Sequence, residues 1–438
     1  MRKLLLVVLL AVFTFGAKAQ AIFENINLAE TFFAQLDSGN YEKAYAFFDI
    51  SVQDKIKLEN LQALWTQMEA KLGEFKSIDG VQNKIKEDFQ LVILNLAFTN
   101  DSQPFQLSFN KANKIAGIFL LPKSPESAYK LPSYADTATY TEKLVTIKSG
   151  KFELPAMLTL PKDSVNVPVL ILVHGSGPSD MDESIGPNKP FKDIATGLAS
   201  KGIASLRYVK RTLTYPQAFN GAFTVKDEVL DDALAAIKFA KTIPQIDSQK
   251  VYVFGHSLGG MLAPRIATLD PSVKGLILAA APARKLQDIA IEQNNYFNNL
   301  QPDSIKKANA ELLSKSIKEL DNVKTFNATT VAQDSIYLGL PVSYWADLNA
   351  MDQVGIAKKL SQRIFIIQGG NDFQVSRQNF DIWQKALQGK RNVDFKLYPM
   401  LNHLFAFVSE KGDNRQYAIP ANVDQTLIGD LASWINQK

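Results

Sequence analysis

The sequence predicts an α/β chain: a mostly parallel sheet, covered on both faces and capped by a helical insertion, preceded by a smaller α+β domain. Three observations predict it. Val251-Tyr252-Val253-Phe254 reads as a buried strand that runs into the turn Gly255-His256-Ser257-Leu258-Gly259 and then a helix over 258–265. From residue 167 onward, short apolar runs alternate with amphipathic helical stretches, the pattern of parallel strands buried on both faces. Before residue 121 the order is instead helices and then consecutive strands. At 438 residues the chain is also too long for one ordinary domain.

Residues 1–19 stand apart. Met1-Arg2-Lys3 is a basic start, 4–15 an apolar core, and Ala17-Lys18-Ala19 a small-x-small site before Gln20. That is the pattern of a cleaved secretory signal, too short to span a membrane comfortably. Helical spacing follows over 28–36, is broken by Asp37-Ser38-Gly39-Asn40, and resumes over 41–48 and 58–72. Strand-like runs follow at 89–98, 104–109 and 115–120, which closes an α+β domain over about 22–121. Its aromatic stripe (Phe32, Phe33, Tyr45, Phe47, Phe48, Trp65) can line a pocket, but at helical spacing such a stripe is more often core. Residues 122–139, rich in Pro, Ser and Tyr and without periodicity, read as a linker.

The second domain, 140–438, opens with a hairpin at 143–147 and 152–160. Strands at 167–173, 203–208, 251–254 and 273–279 alternate with helices at 191–201, 225–241 and from 258, and two more strands follow at 363–367 and 393–398. The segment 284–358 is polar and helix-forming, with no core strand, and reads as a cap over the site, with a peripheral helical decoration the alternative. In such a sheet the site lies at the carboxyl ends of the strands.

A serine on a strained strand-to-helix turn needs neighbours without Cβ, and Gly255 and Gly259 supply them around Ser257. The hydroxyl then stands at the positive end of a helix, as a nucleophile requires. Serine also needs a base, and the base an acid to orient it. Only three histidines are present. His256 sits inside the turn, His174 ends the first parallel strand, and His403 lies in a loop just after the last strand; His403 is read as the base, and His174 as structuring its own loop, with a second base the alternative. Asp372, in Gln368-Gly369-Gly370-Asn371-Asp372, directly follows the 363 strand and is the acid. For an oxyanion hole the backbone amide of Leu258 is one donor, and that of Ser176 in His174-Gly175-Ser176-Gly177 the second, with Gly175 the alternative.

Asp180, Asp182 and Glu183 with Lys189, Lys210 and Arg211 can bind a charged substrate, but read better as a solvated, mutually paired loop. No HExxH motif, histidine cluster or Gly-rich phosphate loop occurs, so no metal and no cofactor are expected. The absence of cysteine excludes disulfides and thiolate chemistry. Removing 1–19 takes away Arg2, Lys3 and Lys18, so the net charge falls from +4 to +1. That balance gives no reason to expect nucleic acid or an anionic membrane as partner.

Residues 34–48, AQLDSGNYEKAYAFF, resemble the DUF3887 domains found ahead of some bacterial hydrolases, which implies a cone-shaped, nuclear-transport-factor-like fold for the first domain. His174-Gly175-Ser176-Gly177-Pro178, Gly186-Pro187-Asn188-Lys189-Pro190-Phe191, Leu206-Arg207-Tyr208-Val209-Lys210-Arg211-Thr212, Gly255-His256-Ser257-Leu258-Gly259-Gly260, the Gln368 loop and Leu401-Asn402-His403-Leu404-Phe405 resemble the α/β-hydrolase family of bacterial serine esterases, in its dienelactone-hydrolase-like or serine-aminopeptidase-like branch. The order Ser257, Asp372, His403 is that family's order of nucleophile, acid and base. The chain departs from the family at Val209, where an acidic residue is common, so no substrate contact carries over there. Together these readings predict an exported serine hydrolase that cleaves small carboxylic esters, with short acyl chains, through an acyl-enzyme. Peptide cleavage or acyl transfer by the same triad is the alternative.

Overall fold

The computed structural model describes residues 16–86, 89–121, 129–327, 329 and 332–437. The chain divides into two compact units at residues 128 and 129. The expected signal segment, 1–19, lies outside the described residues except for 16–19, which open the first helix, Gly16–Asp37.

In the first unit that helix is followed by Tyr41–Tyr45, Ile50–Gln53 and Leu58–Leu72, then by four strands: β1 (Phe75–Lys86), β2 (Phe89–Phe98), β3 (Ser102–Phe109) and β4 (Ile115–Leu120). They form an antiparallel meander in sequence order. Alternation sends Val92, Leu94 and Leu96 of β2, with Phe105 and Leu107 of β3, to one face. Phe32, Phe33, Phe48 and Trp65 cover that face and are buried in one cluster with it. Phe33 packs edge-on against Phe105, 5.2 Å between ring centres. The aromatic stripe is therefore core, with Tyr45 and Phe47 half-buried at its margin.

Strand β1 was not expected from the sequence. Its polar residues Lys76, Ser77, Asp79, Gln82, Asn83 and Lys84 show no alternation, and it holds register with β2 only through two irregularities, between Phe75 and Ser77 and between Ile78 and Val81. Its partner specifies it, not its own pattern.

The expected linker is corrected in its second half. Residues 122–128 lie outside the described residues, but 129–139 pack on the second unit. Tyr129 Oη donates to Asp193 Oδ1 at 2.8 Å, Tyr134 Oη to the Val423 carbonyl at 2.7 Å, and Asn422 Nδ2 to the Lys130 carbonyl at 2.8 Å. Tyrosines with an apolar ring and a donor at its tip dock where a spacer of small polar residues would not.

The second unit carries β5 (Tyr140–Ser149), β6 (Phe152–Pro161), β7 (Val167–Val173), β8 (Ala204–Tyr208), β9 (Ile246–His256), β10 (Gly275–Ala279), a two-residue hairpin of β11 (Ile336–Tyr337) and β12 (Leu340–Pro341), then β13 (Arg363–Gly369) and β14 (Val393–Tyr398). The main sheet has the order β14-β13-β10-β9-β7-β8-β6-β5. It is parallel from β14 through β8, and antiparallel where β6 joins β8 and β5 joins β6. This is the α/β-hydrolase fold. Strand β7 is buried throughout because it feeds two cores. Val169, Ile171 and Val173 join the helices Asp231–Ala240, Leu258–Leu269 and Arg377–Leu387, whereas Leu170 and Leu172 join Pro190–Ala199 and Gln425–Asn436.

Between β10 and β13 the chain leaves the sheet as helices Leu286–Asn299 and Asp303–Val323, the β11–β12 hairpin, and helices Val342–Ala350 and Gln353–Lys359. This is the segment read from the sequence as a cap. Its first helix meets the loop after β13, where Gln293 Nε2 donates to the Gln374 carbonyl at 2.7 Å and Tyr296 stacks on Phe373. Among the described residues no helix is long and apolar enough to cross a membrane.

Candidate active site

Every residue singled out as chemical sits just beyond the carboxyl end of a strand: His174 after β7, Lys210 after β8, Ser257 after β9, Asp372 after β13 and His403 after β14. Ser257 occupies the turn between β9 and its helix with φ 52° and ψ −117°, a backbone shape that a side chain adopts only under strain. The turn is that sharp because nothing stands between helix and sheet: a Cβ on Gly259 would collide with the Val173 carbonyl. The Ser257 amide donates to the Ala279 carbonyl at 2.9 Å, which ties the turn to β10.

Asp372 is buried and all its acceptor capacity is aimed. Oδ1 accepts the amides of Gln374 and Val375 at 2.8 and 2.9 Å; Oδ2 accepts Gln368 Nε2 at 2.9 Å and His403 Nδ1 at 2.7 Å. A carboxylate facing Nδ1 fixes the tautomer with the proton there. His403 Nε2 is left as the basic nitrogen. The loops that carry acid and base are laced together, with the Gly370 amide donating to the Tyr398 carbonyl at 2.8 Å and that of Asn371 to Leu401 at 3.0 Å. Asn402 shapes the turn at His403, its Oδ1 accepting the amides of Leu404 and Ala406.

His256 joins the loop of His403 to the turn of Ser257. Its Nε2 donates to the His403 carbonyl at 2.9 Å, and the two rings lie 4.6 Å apart. Its Nδ1 lies 2.8 Å from Glu183 Oε2. Glu183 also reaches the loop after β7, where its Oε1 accepts the Gly175 amide at 2.6 Å. That loop passes close to the nucleophile: a Cβ on Gly175 would stand 3.2 Å from Ser257 Cβ.

The Gly175 amide is therefore spent on Glu183, and the Gly177 amide on Glu228 Oε1 at 3.2 Å. Ser176, expected as the oxyanion donor, lies between these two engaged amides, and Gly175, the alternative, has its amide on Glu183. Leu258, the other expected donor, opens its helix, where an amide has no intrahelical partner. His174 structures its loop, with Nε2 donating to the Asp180 carbonyl at 2.8 Å, and burial pushes its pKa down to about 4.

The charged loop is mutually paired as expected, but it is not solvated. Asp182, Glu183, Lys210 and Arg211 are all buried. Asp182 Oδ1 accepts Arg207 Nε at 2.7 Å, Asp182 Oδ2 lies 3.2 Å from Lys189 Nζ, and Arg211 Nε donates to Asp232 Oδ1 at 2.8 Å. Sequence reasoning missed the roles of Gln368, Asn402 and Glu228; only Gln368, four residues before Asp372 in a glycine-rich loop, carried a readable hint. Among the described residues no group of three or more His, Cys, Asp or Glu could hold a metal ion.

The serine aminopeptidase S33 family matches residues 188–408, half of the chain. The chain belongs to that family. Its N-terminal unit matches DUF3887, a protein family of unknown function, over residues 29–118. Esterase EstD of Thermotoga maritima is 35% identical to this S33-family chain over 427 residues, 97% of each. Thiohydrolase apmlB of Arthrinium phaeospermum is 28% identical over 135 residues, 31% of this chain and 37% of its own. Among solved structures, Est1E from Butyrivibrio proteoclasticus is 17% identical and covers 67% of this chain and 99% of its own, at a TM-score of 0.44. The Pyrococcus horikoshii acylaminoacyl peptidase is 15% identical and covers 83% of this chain and 56% of its own, at a TM-score of 0.47.

Proposed function

We propose that this protein hydrolyses carboxylic esters of small molecules through an acyl-enzyme on Ser257. His403 Nε2 takes the Ser257 proton as Oγ attacks the ester carbonyl, the amides of Leu258 and Ser176 hold the oxyanion, and His403 returns the proton to the leaving alcohol. Water then repeats the sequence against the acyl-enzyme. The observation that carries this reading is the 2.7 Å contact between Asp372 Oδ2 and His403 Nδ1, which leaves Nε2 as the base, on a residue whose carbonyl is held by His256, the neighbour of the strained Ser257. The likeness to Esterase EstD along nearly the whole chain supports the choice of ester substrate.

Aminopeptidase action or acyl transfer uses the same groups. Capture of a free N-terminal amine, however, needs an uncommitted carboxylate, and Glu183, Glu228 and Asp372 each have buried partners. The expectation of short acyl chains is supported by the apolar cluster of Phe373, Leu404 and Tyr417 with Tyr296 and Phe297, next to the acid and the base. The basic start, apolar core and Ala17-Lys18-Ala19 site of 1–19 support export into a bacterial periplasm or the medium. Sequencing the N-terminus of the protein recovered from that compartment tests this, with Gln20 as the expected first residue.

Hydrolysis of p-nitrophenyl esters from acetate to dodecanoate, with Ser257→Ala alongside, tests the activity. Turnover that falls with chain length and vanishes in the variant is expected; undiminished turnover in Ser257→Ala would refute the reading.

A further inference from the structure

The 174–177 loop is held from both sides by buried ionisable groups that the chemistry above does not use. Lys210 Nζ donates to the Gly175 carbonyl at 2.9 Å and to Glu228 Oε1 at 2.5 Å. The same Oε1 accepts the Gly177 amide, and Oε2 accepts Tyr344 Oη at 2.6 Å. None of the three side chains is more than 4% exposed. They come from three distant parts of the chain. Lys210 follows β8, Glu228 lies in a single π-helical turn, Lys226–Leu230, and Tyr344 belongs to the Val342–Ala350 helix of the cap segment.

Two features set this cluster apart from ordinary packing. A buried Lys–Glu pair contributes little to stability, because the desolvation of both charges offsets their attraction, and an apolar pair of similar size is often as stable or more so. A π turn is rare and concentrates at functional sites, since it costs helix geometry to re-aim one side chain. Here the re-aimed side chain is the carboxylate that joins loop to cap. With Glu183 on the Gly175 amide, Lys210 on the Gly175 carbonyl and Glu228 on the Gly177 amide, the peptide planes flanking Ser176 are fixed on both sides.

We propose that Tyr344, Glu228 and Lys210 are positioning residues through which the cap segment sets the direction of the Ser176 amide. The cap thereby contributes to transition-state stabilisation as well as covering the site. The proposal rests on the oxyanion role assigned to Ser176 above. None of the three touches substrate; they act through the loop. Loosening them lowers the rate of the chemical step and weakens binding of a tetrahedral adduct, while ground-state binding is kept.

The test uses the full chain with p-nitrophenyl butyrate as substrate and an alkyl trifluoromethyl ketone as adduct former. Ser257 Oγ adds to the ketone carbon, the Ser257 proton passes to His403, and the carbonyl oxygen becomes the oxyanion. Tyr344→Phe keeps the ring and is expected to lower kcat about tenfold with KM unchanged, and to raise the ketone Ki by a similar factor. The double variant Lys210→Met with Glu228→Leu removes both charges together. It also leaves the Gly175 carbonyl, the Gly177 amide and Tyr344 Oη without partners, so it is expected to melt below the wild type and, assayed where both chains are folded, to lose about 100-fold in kcat, the scale of a lost oxyanion donor. A merely structural cluster predicts the opposite: wild-type kcat and Ki in every variant that is folded at the assay temperature, or a change in KM alone. Ser257→Ala, run in parallel, separates this proposal from the esterase reading. Loss of turnover in Ser257→Ala with wild-type kinetics in the other two variants overturns the positioning role only. Turnover retained in Ser257→Ala overturns both.

Discussion

Glu183 Oε2 and His256 Nδ1 lie 2.8 Å apart, both buried, immediately beside the nucleophile. Burial alone would lower the pKa of His256, but the Glu183 carboxylate and the hydrogen bond to the His403 carbonyl outweigh it, and the pKa is raised. Burial alone would raise Glu183, but the His256 charge outweighs it, and the pKa is lowered. With Nε2 donating to a carbonyl and Nδ1 facing a carboxylate, the surroundings favour the doubly protonated ring. One ion pair thus connects the Gly175 amide, the residue before Ser257 and the backbone of His403.

Glu183→Gln leaves a buried charge without its partner and is expected to cost about 3 kcal/mol in denaturant unfolding. The cost depends on pH. A depressed carboxylate contributes fully above its unfolded value and loses that contribution as pH falls through the folded pKa; a raised histidine contributes fully below its unfolded value and loses it as pH rises through the folded pKa. The gap between wild type and variant is therefore widest at about pH 5–6 and narrows on either side. A pH-independent gap would contradict the ion pair.

His174 has the opposite sign. Held neutral by burial with a pKa of about 4, it makes folding less favourable as pH falls below the unfolded value of 6.5, since only the unfolded chain then takes up a proton. The loss is on the order of 3 kcal/mol by pH 4. Urea midpoints across pH 4–7 should fall less steeply in His174→Gln than in the parent chain.

Asp372→Asn removes the acceptor that fixes the His403 tautomer and is expected to reduce kcat about 10⁴-fold. Gln368→Leu removes one neutral donor from the same carboxylate; about tenfold in kcat with little change in KM is expected. Steady-state kinetics of the two variants should rank them in that order.

Truncations test where the second unit begins. A chain starting at residue 129 keeps Tyr129 on Asp193 and Tyr134 on the Val423 carbonyl; one starting at 136 loses both. Thermal unfolding should place the shorter chain lower by about 1–3 kcal/mol.

Much of the site was legible because its chemistry is local in sequence. Ser257 announces itself by a strand, a glycine-flanked turn and a helix; Asp372 and His403 each follow a strand directly, and only three histidines were available to choose from. The supporting groups were not legible, because they meet only through the sheet. Tyr344 and Glu228 are 116 residues apart, and a charged loop such as 180–189 looks solvated until its partners at Arg207 and His256 are known. Strand β1 escaped for a related reason: its polar residues form a strand only because β2 offers them an edge.

Peptide mapping after reaction with a fluorophosphonate tests the central claim most directly. A single adduct is expected on the peptide carrying Ser257, absent in Ser257→Ala and strongly slowed in His403→Ala. An adduct on another serine, or none on a folded chain that still turns over esters, would contradict it.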